Sequence, residues 1–393
     1  MPDTDETYVE IEFARQTKTG EEVCGDEFKV ARMENENRYI TVLSDGLGSG
    51  IKASLLANMT SSMAIKFISG NMEIINSAEI IMDTLPVCEV RKISYATFTI
   101  VDAFASGPAR VIEMGNPEFI HLRNGKDLHY DKKEMFSKNW PDRKLLVSEF
   151  KTCPEDRIII FSDGVTQAGL GRPEHKFGWK RKGCLEFVQE QVAKRSDISA
   201  RELSRMIVTQ ARLKNEDFKC VDDITCGVIY FRKPRRMLLL TGPPFHDKKD
   251  PEYATMIDNF IGRKVICGGT TANIIARELD RKIETNWKKR DRGLPPTSNM
   301  EGVDLVTEGI LTLTETASYL ESDERPETAS SVRELVEMFH ESDIIDIVVG
   351  TKVNEAHQDP NLPVDLEIRR NIIKRIKNCL ENKLLKKVNL QYI

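Results

Sequence analysis

No two of the eight cysteines (Cys24, Cys88, Cys153, Cys184, Cys220, Cys226, Cys267 and Cys379) stand at C-x-x-C spacing. This argues against a disulfide framework or a cysteine zinc site and suits reduced cytosolic thiols, most of them small core residues. The chain also lacks an apolar run long enough to cross a bilayer, and its first residues, MPDTDETYVE, are acidic and polar. Neither a membrane helix nor a signal peptide is expected, and the cytoplasm is the expected location. An excess of charge of one sign is missing too. Fifty-seven Lys plus Arg stand against 62 Asp plus Glu, a net charge of -5, so neither nucleic acid nor anionic lipid is an expected partner. Histidines are few, and none forms a pair at metal-ligand spacing; His246 and His340 read as surface or core residues. No phosphate loop of the G-x-x-x-x-G-K-[ST] type occurs, since GEEVCGDE has the glycines without the lysine, and no repeat of solenoid period is present.

What is there is a chain of 393 residues, 40% apolar and 30% charged, which is globular in composition and long enough for two domains. VEIEFARQT and EFKVARME alternate as strands do, and RYITVLSDG has the continuous apolar run of a strand buried on both faces. Between Ile51 and Ile68 the apolar residues, Ile51, Leu55, Met59 and Met63 among them, change to helical spacing. ISYATFTIVDAF, ARVIEMGNPEFIHLRNG, DRIIIFSDG and DDITCGVIYF continue the strands, and two helices intervene, the second capped by Ser199 with Glu202 completing a capping box. The first part is therefore of α+β type, and at RKPRRM the composition breaks. Residues 1–233 and 234–393 are expected to be separate domains, the second a smaller α/β domain with a largely parallel sheet; the polar stretch from Lys288 to Met300 reads as a loop.

Carboxylates carry the chemistry. An aspartate at the end of a buried strand is costly unless it is paired, hydrogen-bonded or bound to a metal. Asp45 and Asp163 each end an apolar strand and precede a glycine; Asp222 and Asp223 begin another strand, and Asp26 lies beside Gly25 near a fourth. Any one Asp-Gly is ordinary turn chemistry. Four such strand ends converging on one edge of a sandwich would hold hard divalent cations through oxygen ligands. Gly46, lacking a side chain, would let its carbonyl approach a cation. Two ions roughly 4 Å apart, bridged by Asp45 and a water, would generate a hydroxide in line with a phosphoryl group.

With these residues in hand, the first domain resembles the PPM-type metal-dependent serine/threonine phosphatases, most closely their bacterial SpoIIE-like branch. EEVCGDEF resembles the Gly-Asp motif of that branch, VLSDGLGSGIKAS its Asp-Gly turn and helix, IIIFSDGVTQA its second Asp-Gly turn, and VDDITCGVIYF its Asp-Asp-x-Thr strand. GNPEFIHLRNG stands where the family has a Gly-His/Asn-Pro-Pro strand pair. The resemblance implies a β-sandwich flanked by helices, two manganese or magnesium ions, and hydrolysis of phosphoserine or phosphothreonine without a phosphoenzyme. It further implies that Asp45 bridges both metals, that the Gly46 carbonyl binds one, that Asp163 and Asp222 ligate the other, and that Asp26 acts through water. Asp45, Asp163 and Asp222 are accordingly the implied catalytic residues. The first Asp of the Asp222–Asp223 pair is the ligand in the family. Three positions depart from the pattern: Cys24 replaces a usual Ser, Ser49 a usual His or Asn, and Gln167 a usual Glu. The implied substrate is a phosphorylated protein, an anti-sigma-factor antagonist in this branch, in a bacterial signalling pathway of partner-switching type.

Two rival motifs are weaker. DGLGSG misses the G-x-G-x-x-G spacing of a dinucleotide loop, and CGVIYFR, which matches C-x5-R formally, reads as a strand. In the second domain KVICGGTTANIIAREL runs from strand to glycines to helix, so Gly268, Gly269, Thr270 and Thr271 form a candidate site for a small anionic ligand, against the simpler reading of a turn and cap. That domain is expected to sense a ligand or dock a partner. The alternative to an enzyme is a phosphatase-fold adaptor that binds a signalling partner with little turnover.

Overall fold

In a computed structural model the chain divides into two compact units, Met1–Lys233 and Pro234–Ile393. The structure describes residues 7–33, 36–84, 96–137, 139, 143–285, 297–322, 330–352, 363–384 and 386–393. Among them no helix is long and apolar enough to cross a membrane.

In the first unit the elements are β1 (Tyr8–Gln16), β2 (Asp26–Met33), β3 (Arg38–Gly46), α1 (Gly50–Ser69), α2 (Ile74–Thr84), β4 (Ala96–Phe104), β5 (Pro108–Met114), β6 (Ile120–Arg123), β7 (Lys126–Asp127), β8 (Lys133–Phe136), β9 (Lys144–Lys151), β10 (Arg157–Phe161), α3 (Asp163–Thr166), α4 (Lys180–Lys194), α5 (Ala200–Lys214) and β11 (Ile224–Arg232). They form two sheets, of order β1-β11-β10-β6-β7 and β2-β3-β4-β5-β9-β8, antiparallel in every pairing. Side chains alternate along each strand, so each sheet has two apolar faces to cover. The inner faces meet through Leu43, Val101, Val111, Ile158, Ile160, Ile229 and Phe231. Outward, Ile159, Phe161 and Val228 pack on α4 and α5, and Val42, Ile100 and Ile112 pack on α1 and α2. The result is a β-sandwich flanked by helices, and it explains why β10 and β11 are buried along their whole length.

Helix α1 turns its large apolar residues the other way from what a simple amphipathic reading suggests. Gly50, Ala53, Ala57, Thr60, Ser61 and Ala64 face the sheet, while Ile51, Leu55 and Met59 are exposed. Small residues let the helix backbone lie close to β3, and the bulky ones at the same spacing are left outside. Ser199 caps α5, accepting a hydrogen bond from the Glu202 amide at 3.1 Å. The Glu202 carboxylate itself pairs with Arg195, so the second half of the capping box is replaced by an ion pair.

The second unit comprises β12 (Arg236–Thr241), α6 (Asp250–Asn259), β13 (Arg263–Cys267), α7 (Gly269–Glu278), β14 (Ile283–Thr285), β15 (Ser298–Met300), β16 (Val303–Thr307), α8 (Ile310–Ser322), α9 (Ser330–Glu341), β17 (Ile344–Val349), α10 (Pro363–Asn382) and β18 (Lys387–Tyr392). Its sheet runs β14-β15-β16-β13-β12-β17-β18, parallel from β16 to β18 and antiparallel at the β14 and β15 edge. Alternate residues of β12 serve opposite faces: Met237 and Leu239 pack with α8, α9 and α10, and Leu238 and Leu240 with α6 and α7. The stretch from Lys288 to Met300 is not loop throughout. Ser298–Met300 pairs with β14 and β16, because its neighbours supply a ladder that its polar composition does not announce; residues 288–296 lie outside the described residues.

Candidate metal centre

Strand pairing gathers the carboxylates. Asp26 opens β2 and stands directly opposite Asp45, next to last in β3. Like charges so placed repel, so the pairing register itself creates the problem that the site must solve. Phe161 of β10 pairs with Cys226 of β11, and the next residues interlock, with the Ser162 amide donating to the Thr225 carbonyl at 3.0 Å and the Thr225 amide donating to Ser162 Oγ at 3.0 Å. This sets Asp163, just past β10, beside Asp222 and Asp223, just before β11.

Both glycines that follow these aspartates are required by packing. A Cβ on Gly46 would lie 2.0 Å from the Ala53 carbonyl oxygen of α1, and one on Gly164 would lie 2.0 Å from the Asp223 carbonyl oxygen. Each Asp-Gly turn is thus a point where a helix backbone closes directly onto a strand end. The carbonyl role expected for Gly46 has this steric reason beside it.

Asp223 acts on the backbone. Its Oδ1 accepts from the Lys18 amide at 2.9 Å and its Oδ2 from the Gly25 amide at 2.8 Å. Thr19 and Cys220 add a reciprocal pair: the Thr19 amide donates to the Cys220 carbonyl, and the Cys220 amide to Thr19 Oγ1, each at 2.9 Å. The segment Thr17–Gly25 is therefore strapped to the start of β11. Its other side meets the first Asp-Gly turn, where the Gly46 amide donates to the Gly25 carbonyl at 3.2 Å and Ser49 Oγ donates to Glu21 Oε1 at 2.8 Å. Pattern reading found Asp223 as a charge but missed this strap; partners about 200 positions away leave no local signal.

The electrostatics are those of crowded acids. Burial, followed by the charges of Asp26, Asp163, Asp222 and Asp223, pushes the Asp45 carboxyl up to about 9. Burial likewise raises Asp26 to about 7, with Ser162 and Thr225 holding it down and Asp223 and Asp222 pushing it up. Those two hydroxyls lie beside the carboxylate without reaching good hydrogen-bond geometry, and both Asp26 oxygens are buried with no hydrogen-bond partner. Asp163 and Asp222 are also raised, burial being the main cause for each. Gln167 Nε2 donates to Asp163 Oδ2 at 2.7 Å, while Asp163 Oδ1 is buried without a partner. Glutamine at 167 thus supplies a donor where an ionised glutamate would add a further negative charge.

Among the described residues no group of three or more His, Cys, Asp or Glu side chains is placed to hold a metal ion. The donor set nonetheless fits hard divalent cations. It is made of oxygens alone, three of its buried carboxylate oxygens have no hydrogen-bond partner, and its negative charges destabilise one another until something positive arrives.

Stability should follow from this. Asp45 and Asp26 hold protons more tightly in the fold than in the unfolded chain, so their favourable contribution is complete below about pH 4 and is lost as pH rises through about 7 and about 9. The cation-free protein should melt lower at about pH 9 than at about pH 5, and millimolar manganese or magnesium should remove most of that difference. Differential scanning fluorimetry in chelator and in manganese checks this; identical pH profiles would contradict it.

Other candidates fare differently. Cys226 lies inside β11, fully buried, with its thiol pushed well above the usual range by burial, so CGVIYFR is a strand and no phosphate loop. Gly268, Gly269, Thr270 and Thr271 do stand at the start of α7. However, the Gly268 and Gly269 amides are committed to the Thr307 and Glu308 carbonyls at 3.0 and 3.1 Å. The Glu308 carboxylate caps α8 next door, receiving the Leu311 amide at 3.2 Å.

No curated protein matches the chain. Solved structures similar to it include the phosphatase domain of SpoIIE from Bacillus subtilis, 15% identical with a TM-score of 0.44, covering 58% of this chain and 94% of that one. The RsbU and RsbW domains of Rv1364c from Mycobacterium tuberculosis are 14% identical with a TM-score of 0.44, covering 63% and 67% respectively. RsbX in complex with magnesium is 16% identical with a TM-score of 0.40, covering 57% and 95%. The family model for Stage II sporulation protein E (SpoIIE) matches residues 35–232. That match takes in half of the chain, with both Asp-Gly turns and the Asp222–Asp223 pair, and the chain belongs to the SpoIIE family.

Proposed function

We propose that residues 1–233 are a metal-dependent phosphoprotein phosphatase acting on phosphoserine or phosphothreonine, and that residues 234–393 are a separate α/β domain that senses a ligand or docks a partner. The observation that supports the first part is the gathering of Asp26, Asp45, Asp163 and Asp222, whose burial and mutual repulsion raise their affinity for protons and hence for cations. In this reading Asp45 would be shared by two manganese or magnesium ions, the Gly46 carbonyl would contribute to one, Asp163 and Asp222 would hold the other, and Asp26 would act through water. When bound, such ions acidify a water and neutralise phosphoryl oxygens.

The chain's own residues set the stage. Gln167 occupies one oxygen of Asp163 and leaves the other, which is buried, without a hydrogen-bond partner. Asp223 holds the Thr17–Gly25 strap, which ends at Asp26. Cys24, beside the cluster, does not compete as nucleophile: burial, with Asp26 and Asp223 nearby, raises it to about 12 and keeps it protonated. Direct attack by water, without a phosphoenzyme, is the route these residues support. Membership of the SpoIIE family supports a phosphorylated signalling protein as substrate, and an anti-sigma-factor antagonist is the class we propose.

Asp163→Asn tests this reading. The amide keeps one oxygen but loses the charge, so manganese-dependent hydrolysis of p-nitrophenyl phosphate should be abolished while the fold stays intact. Full activity in the variant would remove Asp163 from the site.

A further inference from the structure

We infer that two loops beside the carboxylates form a docking rim for the substrate protein, selective for a phosphorylated segment that is both acidic and apolar. This rests on the phosphatase reading above and adds the chemistry of what it accepts. One loop runs from Gln167, which holds Asp163, to Trp179; the other runs from Asn215, just past α5, to Val221, immediately before Asp222. They are joined side by side. The Gly169 amide donates to Asn215 Oδ1 at 2.8 Å, Arg172 Nη1 donates to the Lys214 carbonyl at 2.7 Å, and Lys214 Nζ lies 3.3 Å from His175 Nε2. Each loop is thus continuous with a residue of the proposed site.

Their exposed side chains are unusual for a loop surface. Leu170, Phe177, Phe218 and Val221 are 55%, 66%, 56% and 69% exposed. Exposed bulky residues gathered at a site mark binding surfaces more often than scattered ones do. The charge beside Phe177 is positive although the whole chain carries -5. Arg172, Lys176 and Lys180 stand there against one carboxylate, Glu174, while Arg181 is held by Asp127 and Lys182 lies near Glu186; on the second loop, with the last residue of α5, Lys214 and Lys219 balance Glu216 and Asp217. Lys176 and Lys180 place their ammonium groups 5.7 and 4.8 Å from the Phe177 ring centre, so the most exposed aromatic side chain of this loop is framed by cations. Such a surface favours a segment with apolar residues for the rings and acidic residues for the lysines, which is the charge complement of the rim and the same sign as the phosphate it delivers.

The test uses the full chain in manganese and fluorescein-labelled peptides in which a phosphonate replaces the phosphate of phosphoserine. One peptide flanks it with leucines and aspartates, a second replaces the aspartates with lysines, and a third replaces the leucines with serines. Fluorescence anisotropy should show the first binding about 10-fold tighter than either other. Phe177→Ser should lose most of that preference for leucine, and Lys176→Glu combined with Lys180→Glu should reverse the preference for acid, all with unchanged melting temperatures. Equal binding of the three peptides, no binding of any, or indifference to these variants would overturn the rim. A concentration-dependent dimer in sedimentation that Phe177→Ser abolishes would assign the face to a second copy and overturn it too. Binding with these preferences but no phosphate release from the matching phosphoserine peptide would leave the rim standing and sink the phosphatase reading; release indifferent to the rim would do the reverse.

Discussion

Asp45→Ala is expected to lose tight manganese binding and, with it, more than about 100-fold of phosphate-ester hydrolysis. Asp45 stands opposite Asp26 across β2 and β3, and the charges of Asp26, Asp163, Asp222 and Asp223 all push its carboxyl up. Its high proton affinity gives a second signature. At about pH 7 the cation-free wild type holds protons on this cluster, and binding of a divalent cation must release them. Calorimetric titration in two buffers of different ionisation enthalpy reads that release directly. Wild type should release protons on binding, and Asp45→Ala should bind weakly and release fewer. Equal affinity and equal release would remove Asp45 from the cation site.

Gly46→Ala should be among the most damaging single methyl additions in the first unit. The added carbon would sit 2.0 Å from the Ala53 oxygen, 2.6 Å from its carbonyl carbon and 2.9 Å from its Cα, all backbone atoms of α1 that cannot rotate away. Either α1 shifts off β3 or the strand end moves, at a cost of about 3 kcal/mol. Gly164→Ala meets the Asp223 carbonyl oxygen at the same 2.0 Å and should behave alike. Gly269→Ala in α7 is the control: nothing lies within 4 Å of its Cβ position, and the change should be neutral or stabilising. Thermal melting of the three variants beside wild type checks the contrast; if all three melt together, the close approach is not what those glycines serve.

Much of this arrangement is written in short stretches. RYITVLSDG and RIIIFSDG show buried strands ending in a carboxylate and a glycine, and the structure brings both ends to the same region. The pattern is readable because burial on both faces removes alternation and because aspartate at such an end is chemically conspicuous. Other features depend on partners far away in the chain. Leu55 and Met59 have the spacing of a core face, yet Ala53, Ala57 and Ala64 won the sheet because only small residues allow the approach that Gly46 requires. Asp223 looks like a twin of Asp222 until its oxygens are found on Lys18 and Gly25. Ser298–Met300 has loop composition and becomes a strand because β14 and β16 flank it. In each case propensity or pattern gave way to a tertiary neighbour.

The most direct measurement is phosphate release from a phosphoserine peptide by the full chain, first in EDTA and then with manganese or magnesium restored, beside Asp45→Ala. The account predicts no release in EDTA, release on adding either metal, and none in the variant. Release that survives chelation, or tight manganese binding at the cluster with no release from any phosphoprotein or peptide, would contradict it, the latter leaving a phosphatase fold that serves as an adaptor.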